Sequence, residues 1–167
     1  MSKQIWIASD HHLGDKKICT YTGLDNRKLR PYSTMGEMHE DIIEKHNSVV
    51  KPGDKVYFLG DCVIDKAYFD LLSRFNGHKR IILGNHCVQH KSLNYYQYFE
   101  QVLGVKFITD RKIILTHIPI HPDSILPGWI NIIGHLHCNP VLDERYKCVC
   151  LEQINFTPIS LDELLSK

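Results

Sequence analysis

The chain has 167 residues, 43% hydrophobic and 23% charged, with a formal net charge of +1, a profile that predicts one soluble globular domain over residues 1–167. No run approaches the roughly 20 apolar residues needed to cross a bilayer, and so small a charge supplies no field for long nucleic acids or an anionic membrane. Six cysteines without a C-x-x-C pair, and a Met-Ser-Lys-Gln start that leads straight into an apolar strand, predict reduced thiols, no signal peptide and a cytoplasmic location.

In chain order, Ile5–Ser9 reads as a short buried strand followed by Asp10-His11-His12. Thr34-x-x-Glu37 is a capping box that opens a helix with Met35, Met38, Ile42, His46 and Val49 at helical spacing, closed by Pro52-Gly53. The strand Val56–Gly60 delivers Asp61, and a helix over Ala67–Phe75 ends at Asn76-Gly77. Ile81–Gly84 delivers Asn85-His86, and a further helix is predicted from Ser92 to Leu103. Ile113–Thr116 delivers His117, and Ile130–Gly134 delivers His135-Leu136-His137. The last strands are expected at Lys147–Leu151 and Ile154–Phe156, with Ser160-x-x-Glu163 capping a short final helix.

Strands alternating with helices predict an α/β domain, and in such sheets ligands bind beyond the carboxyl ends of the strands. Five strand ends that each deliver Asp, Asn or His therefore describe one site. In Asp10-x-His12 and His135-x-His137 the period of 2 expects both side chains of a pair on one side of an extended backbone. Asn85 and His86 are adjacent, should point differently, and so are expected to divide ligation from some other task. Imidazoles, two carboxylates and an amide oxygen suit two divalent transition-metal ions, manganese first, with iron, zinc, cobalt or nickel as alternatives. Two such ions against two carboxylates leave about two positive charges for a bridging hydroxide and an anionic substrate. Paired metals roughly 3.5–4 Å apart supply what phosphoryl transfer needs, which is positioning and charge neutralisation.

Asp10-x-His12, Gly60-Asp61, Gly84-Asn85-His86, His117 and Gly134-His135-x-His137 resemble, in order and in kind, the motifs of the calcineurin-like metallophosphoesterase superfamily. Ser9 to Gly14, Arg30 to Ser33, Met38 and Val50 to Asp61 are similar to its small bacterial and phage members. The resemblance implies a sandwich of two mixed β-sheets flanked by α-helices. It implies one metal on Asp10, His12 and His137, the other on Asn85, His117 and His135, with Asp61 bridging. His86 would face the phosphate or leaving group as general acid or transition-state stabiliser. The implied activity is hydrolysis of a small phosphomonoester or phosphodiester; a nucleotide-directed phosphodiesterase or nuclease, and a catalytically silent scaffold, are the alternatives.

Departures from the pattern bound the reading further. Many relatives carry an acidic residue where this chain has Cys87, so His86 is expected to lack a carboxylate partner there. Cys62-Val63-Ile64-Asp65 lacks the arginine-containing motif of the superfamily's protein phosphatases, and the chain is too short for the capping domain of its DNA-repair nucleases. Arg30 is a candidate phosphate clamp and His121 a candidate substrate contact, each with a plain loop role as the alternative. His11 is expected at the surface or behind the ligands, and Tyr95, Tyr96, Tyr98 and Phe99 in packing rather than base stacking. Cys138, Cys148 and Cys150 lack zinc-module spacing and read as small apolar filler, while His39, His46, His78 and His90 receive no role.

Overall fold

A computed structural model describes residues 4–23, 26–89 and 93–166. Its first strand, β1, is Ile5–Ala8, and it leads after a long loop into helix α1, Met35–Val49. The Thr34 hydroxyl accepts the Glu37 amide at 3.1 Å, while the Glu37 carboxylate returns to the Ser33 amide at 2.9 Å, so the box closes one residue earlier than its usual form. Met38, His39, Ile42, Ile43 and His46 form the buried stripe of this helix.

Strand β2, Lys55–Phe58, is followed by a 3-10 helix over Lys66–Arg74, and β3 is His78–Ile82. The short strands β4, Gln101–Leu103, and β5, Lys106–Ile108, come next, then β6, Ile113–Leu115, and β7, Ile130–Ile133. Strand β8 is Tyr146–Cys148 and β9 is Ile159–Ser160, and the short helix α2, Leu161–Ser166, ends the described chain. One sheet has the order β4-β3-β2-β1-β9 and the other β5-β6-β7-β8. β1 to β4 are parallel, as are β6 to β8, while β9 and β5 run antiparallel at the edges.

Strand alternation sorts the core into two layers. Ala8, Val56, Phe58 and Ile81 turn to α1 and the 3-10 helix, where they meet Met38, Ile42, Leu72 and Phe75. Ile7, Tyr57, Leu59 and Ile82 turn the other way and pack on Ile113, Leu115 and Ile132 of the second sheet. The result is a sandwich of two mixed sheets with helices, and it brings the carboxyl ends of β1, β2, β3, β6 and β7 to one edge.

Three expected elements are corrected, the first being the strand expected over Lys147–Leu151, which is β8 at Tyr146–Cys148, with Leu151 opening a 3-10 turn. No helix covers the described part of 92–103; a 3-10 turn at Tyr95–Gln97 precedes β4 instead, because Tyr95 and Phe99 are drawn into the core against Phe69 and Phe58. Ile154–Phe156 is not a strand, since Asn155 and Phe156 take left-handed backbone angles with φ of 53° and 57°. The last sheet partner is β9, which pairs with β1. Among the described residues no helix is long and apolar enough to cross a membrane.

Candidate metal centre

The loops leaving the parallel strands are stitched to one another by their backbones. The Asp10 amide donates to Gly60 O, His12 to Asp61 O and Leu13 to Cys62 O, so the loops after β1 and β2 run side by side. The Gly134 amide donates to His117 O at 2.9 Å, which joins the loops after β6 and β7. The His135 amide reaches across to Asp10 Oδ2 at 2.8 Å and ties the two sheets together.

Within these loops Asp10, His12, Asp61, His135 and His137 have φ of 61°, 53°, 46°, 68° and 50°. The backbone of both D-x-H and H-x-H pairs is therefore folded through left-handed residues and not extended, which corrects the expected geometry. Left-handed angles are costly for residues with a side chain and gather at functional sites, where surrounding contacts hold them. Glycines make the close approach sterically possible. A Cβ on Gly84 would collide with the Asp61 carboxylate, and one on Gly134 with the Ser9 hydroxyl and the Asp10 carboxylate.

Two sets of donor atoms result, each with its atoms within 4.8 Å of one another: Asp10, His12 and His137, and Asp61, His117 and His135. The two histidines of His135-x-His137 thus serve different sets, as the resemblance implies and as a one-sided extended pair would not. Asp10 Oδ1 lies 3.7 Å from His12 Nε2 and 3.9 Å from His137 Nε2. Asp61 Oδ2 lies 3.1 Å from His117 Nε2, and Asn85 Oδ1 lies 2.9 Å from the same nitrogen. Asn85 thereby joins the second set. His86 stands beside the first, its ring 5.6 Å from that of His12 and its amide donating to Asp61 Oδ1 at 2.9 Å.

The donor chemistry fits divalent cations. His12 Nδ1 is 3.0 Å from Asp15 Oδ2, His137 Nδ1 is 3.1 Å from Glu152 Oε1, and His117 Nδ1 is 2.7 Å from Leu59 O. Each contact puts a ring proton on Nδ1 and directs Nε2 into the site, where its lone pair is free for a cation once any proton there is displaced, the arrangement that metal-bound histidines adopt. Asp10 Oδ1 and His12 Nε2 are buried without a hydrogen-bond partner, and they face each other. Buried polar atoms are seldom left so.

Electrostatics couple the two sets. Burial pushes the Asp10 carboxyl up, but His12, His117 and His137 together with the Ser9 hydroxyl outweigh it and hold Asp10 well below the usual carboxylate range. Asp61 is lowered too, its burial overcome by His117. Burial lowers His12 and His117, yet Asp10 and Asp15 raise the first, and Asp61 and Asp10 the second, so both end above the ordinary imidazole value. His135 is lowered by burial and by repulsion from His117. Protons on these imidazoles and cations between them are alternative ways to neutralise the same carboxylates.

The phosphate clamp expected of Arg30 is overturned. Arg30 is fully buried and cannot clamp a substrate phosphate. Its Nε donates to Glu152 Oε1 at 2.8 Å, its Nη1 to His11 O at 2.8 Å and its Nη2 to Asp10 O, so it braces the Asp10 loop and the carboxylate behind His137. His11 takes the second of its two expected placements, fully buried behind the ligands and stacked on Phe58 at 4.5 Å with Phe75 at its edge. Its burial, the neighbouring His46 and the Arg30 charge hold it neutral. His121 is exposed and caps a turn, accepting the Asp123 amide at 3.3 Å, which is the loop role. Cys87 is turned to Asp61, whose amide donates to its sulfur at 3.3 Å, so it occupies a place under the carboxylate and not a place beside His86.

Cys150 is more than filler: its thiol lies 3.2 Å from Asp10 Oδ2 and its sulfur accepts the His137 amide at 3.2 Å. Asp15, Glu152 and Ser9 are contributors that the motifs did not single out. Asp15 had a faint signal, being a carboxylate in the same short loop as Asp10; Glu152 had none. His90 lies outside the described residues.

No family model matches the chain. An uncharacterized protein, MJ1445, from Methanocaldococcus jannaschii is 33% identical over 175 residues, spanning 96% of this chain and 88% of that protein. The crystal structure of AQ665, a protein of unknown function from Aquifex aeolicus, superposes with a TM-score of 0.74 over 99% of both chains at 22% identity. The nuclease MPE of Pseudomonas putida superposes with a TM-score of 0.51 at 16% identity over 81% of this chain and 62% of that one. The chain belongs to the family of the M. jannaschii protein, and its fold is that of the calcineurin-like metallophosphoesterases.

Proposed function

We propose that the protein is a phosphoester hydrolase that works with two divalent ions. Asp10, His12 and His137 would hold one and Asn85, His117 and His135 the other, with Asp61 between them. The observation that carries the reading is the set of three imidazoles whose Nδ1 atoms are bound from behind while their Nε2 atoms converge on buried carboxylates. Divalent ions in such a centre would supply an acidified water and neutralise a phosphate. Manganese is the first candidate.

The chain's own residues would do the rest. Arg30 and Glu152 hold the Asp10 loop and His137 in place, and Asp15 sets the tautomer of His12. Asp61 is fixed on one oxygen by the His86 amide, which also fixes the entry of His86 into the site. From there the His86 ring would give a proton to the leaving oxygen. The fold shared with the P. putida nuclease keeps diester cleavage as a second reading. A net charge of +1 favours small esters or nucleotides over long nucleic acid.

The test is elemental analysis, followed by an aryl monoester, an aryl diester and 2′,3′- and 3′,5′-cyclic nucleotides offered with each metal. Chelation should abolish turnover and manganese restore it. His86→Ala should lower kcat by about 10²–10⁴-fold with metal content unchanged, whereas Asp61→Asn should lose both metal and turnover. A folded, metal-loaded protein inert toward the whole panel would point instead to a silent scaffold.

A further inference from the structure

The second sheet has two faces, and only one is used in the core between the sheets. Ile113 and Leu115 of β6 point inward, so Ile114 and Thr116 point out. On that outer face lies a recess of about 580 Å³, the size of a small-molecule site. Leu83, Val88, Val105, Phe107, Ile118 and Ile120 wall it, and Asn85 and His117 of the candidate centre line the same space. Val88, Val105, Phe107 and Ile118 are 57%, 43%, 52% and 52% exposed, a cost in ordered water for a protein that leaves them bare.

The chemistry of the walls selects the occupant. Among the described lining residues there is no Asp, Glu, Lys or Arg. The Thr116 hydroxyl is already engaged, donating to Ile118 O at 2.6 Å and accepting from Asn131 Nδ2 at 2.9 Å. Beyond the Ser124 hydroxyl and the Asn85 and His117 side chains, the described lining offers the hydroxyls and charges of a sugar or amino-acid moiety no side-chain partner that is free to bind them. A protein segment laid across the recess would cover Asn85 and His117 and close the centre it adjoins.

We propose that this recess receives the organic part of the substrate, so that the ester cleaved carries an apolar alkyl or aryl group. The proposal rests on the reading of the centre as a phosphoesterase and adds the substrate class to it. Phe107 and Val105 are then the specificity-determining walls, and Asn85 and His117 mark where the recess meets the phosphate.

The experiment uses the manganese-loaded protein and a series running from phenyl to 4-butylphenyl phosphate, in which the leaving group changes in size and hardly in acidity. kcat/KM should rise about fourfold per added methylene, the effect of burying one. Phe107→Ser and Val105→Ser, both at half-exposed positions, should flatten that dependence. Binding of phenylphosphonate and 4-butylphenylphosphonate, followed by calorimetry, should show the same preference without turnover. Hydrolysis of every member with no dependence on chain length would overturn the proposal and leave the phosphoesterase reading intact. No hydrolysis by the metal-loaded protein would overturn that reading, and equal phosphonate affinities would then overturn the recess as well. A wild-type dimer that Phe107→Ser dissociates, with flat chain-length dependence in both, would assign the recess to an interface between copies and overturn the proposal.

Discussion

Gly134 shows how a residue without a side chain can shape this centre. A methyl group there would enter the space of the Ser9 hydroxyl and of the Asp10 oxygen that accepts the His135 amide. Gly134→Ala is expected to shift Asp10 and weaken manganese binding by between about ten- and a hundredfold, as losses around metal ligands do; metal titration checks it. Glu152 is the other lever. It accepts from both the buried Arg30 guanidinium and His137 Nδ1, and although its burial favours the acid, His137 and Arg30 hold it ionised. Glu152→Gln leaves the buried guanidinium without its counter-charge, and about 3–5 kcal/mol of destabilisation is expected in urea unfolding of the metal-free protein. A loss below 1 kcal/mol would mean that Arg30 finds another partner. The ligand-type residues stood out in the sequence because each follows an apolar run, whereas Glu152 did not, because its partner Arg30 is 122 residues away.

At the scale of elements, legibility tracked length and regularity. The capped, amphipathic α1 was readable, its start to the residue and its end to within a few positions, because local and tertiary preferences agree over 15 positions. Thr34→Ala removes its cap and is expected to cost about 1 kcal/mol of unfolding free energy, read by urea titration, without altering metal affinity, since the helix supports the first sheet from behind. A loss of metal affinity in that variant would show that the helix sets the centre directly. The segment from 92 to 103 misled because Tyr95, Tyr98 and Phe99 have helical spacing, yet a single 3-10 turn already delivers Tyr95 and Phe99 to the core. Strands of two or three residues such as β4, β5 and β9 carry too few positions for any periodicity to register. The left-handed loops that replace extended D-x-H and H-x-H pairs are set by contacts between loops distant in sequence, and no local pattern encodes them.

At the scale of the molecule, the layer between α1 and the first sheet hides imidazoles among aromatic rings. His46 of α1 packs 4.9 Å from Phe75 and 5.7 Å from Phe58, and Phe58 also carries the stacked His11. Burial pushes His46 down to about 4, with the Asn76 carbonyl opposing only in part and the Lys79 charge adding to the fall. In the unfolded chain the same group titrates near the ordinary imidazole value of about 6.5. Between those values the unfolded chain binds a proton that the folded one excludes, so stability is highest above about pH 6.5 and declines as pH falls toward 4. The integrated contribution is about 3 kcal/mol. His46→Gln offers a neutral amide donor to Asn76 and does not titrate. Urea unfolding of the metal-free proteins at pH 7.5 and pH 4.5 should therefore show a smaller acid loss in the variant, by about 2–3 kcal/mol, while carboxylates elsewhere titrate equally in both. If the two proteins lose stability in parallel, His46 is not the group that couples this core to pH.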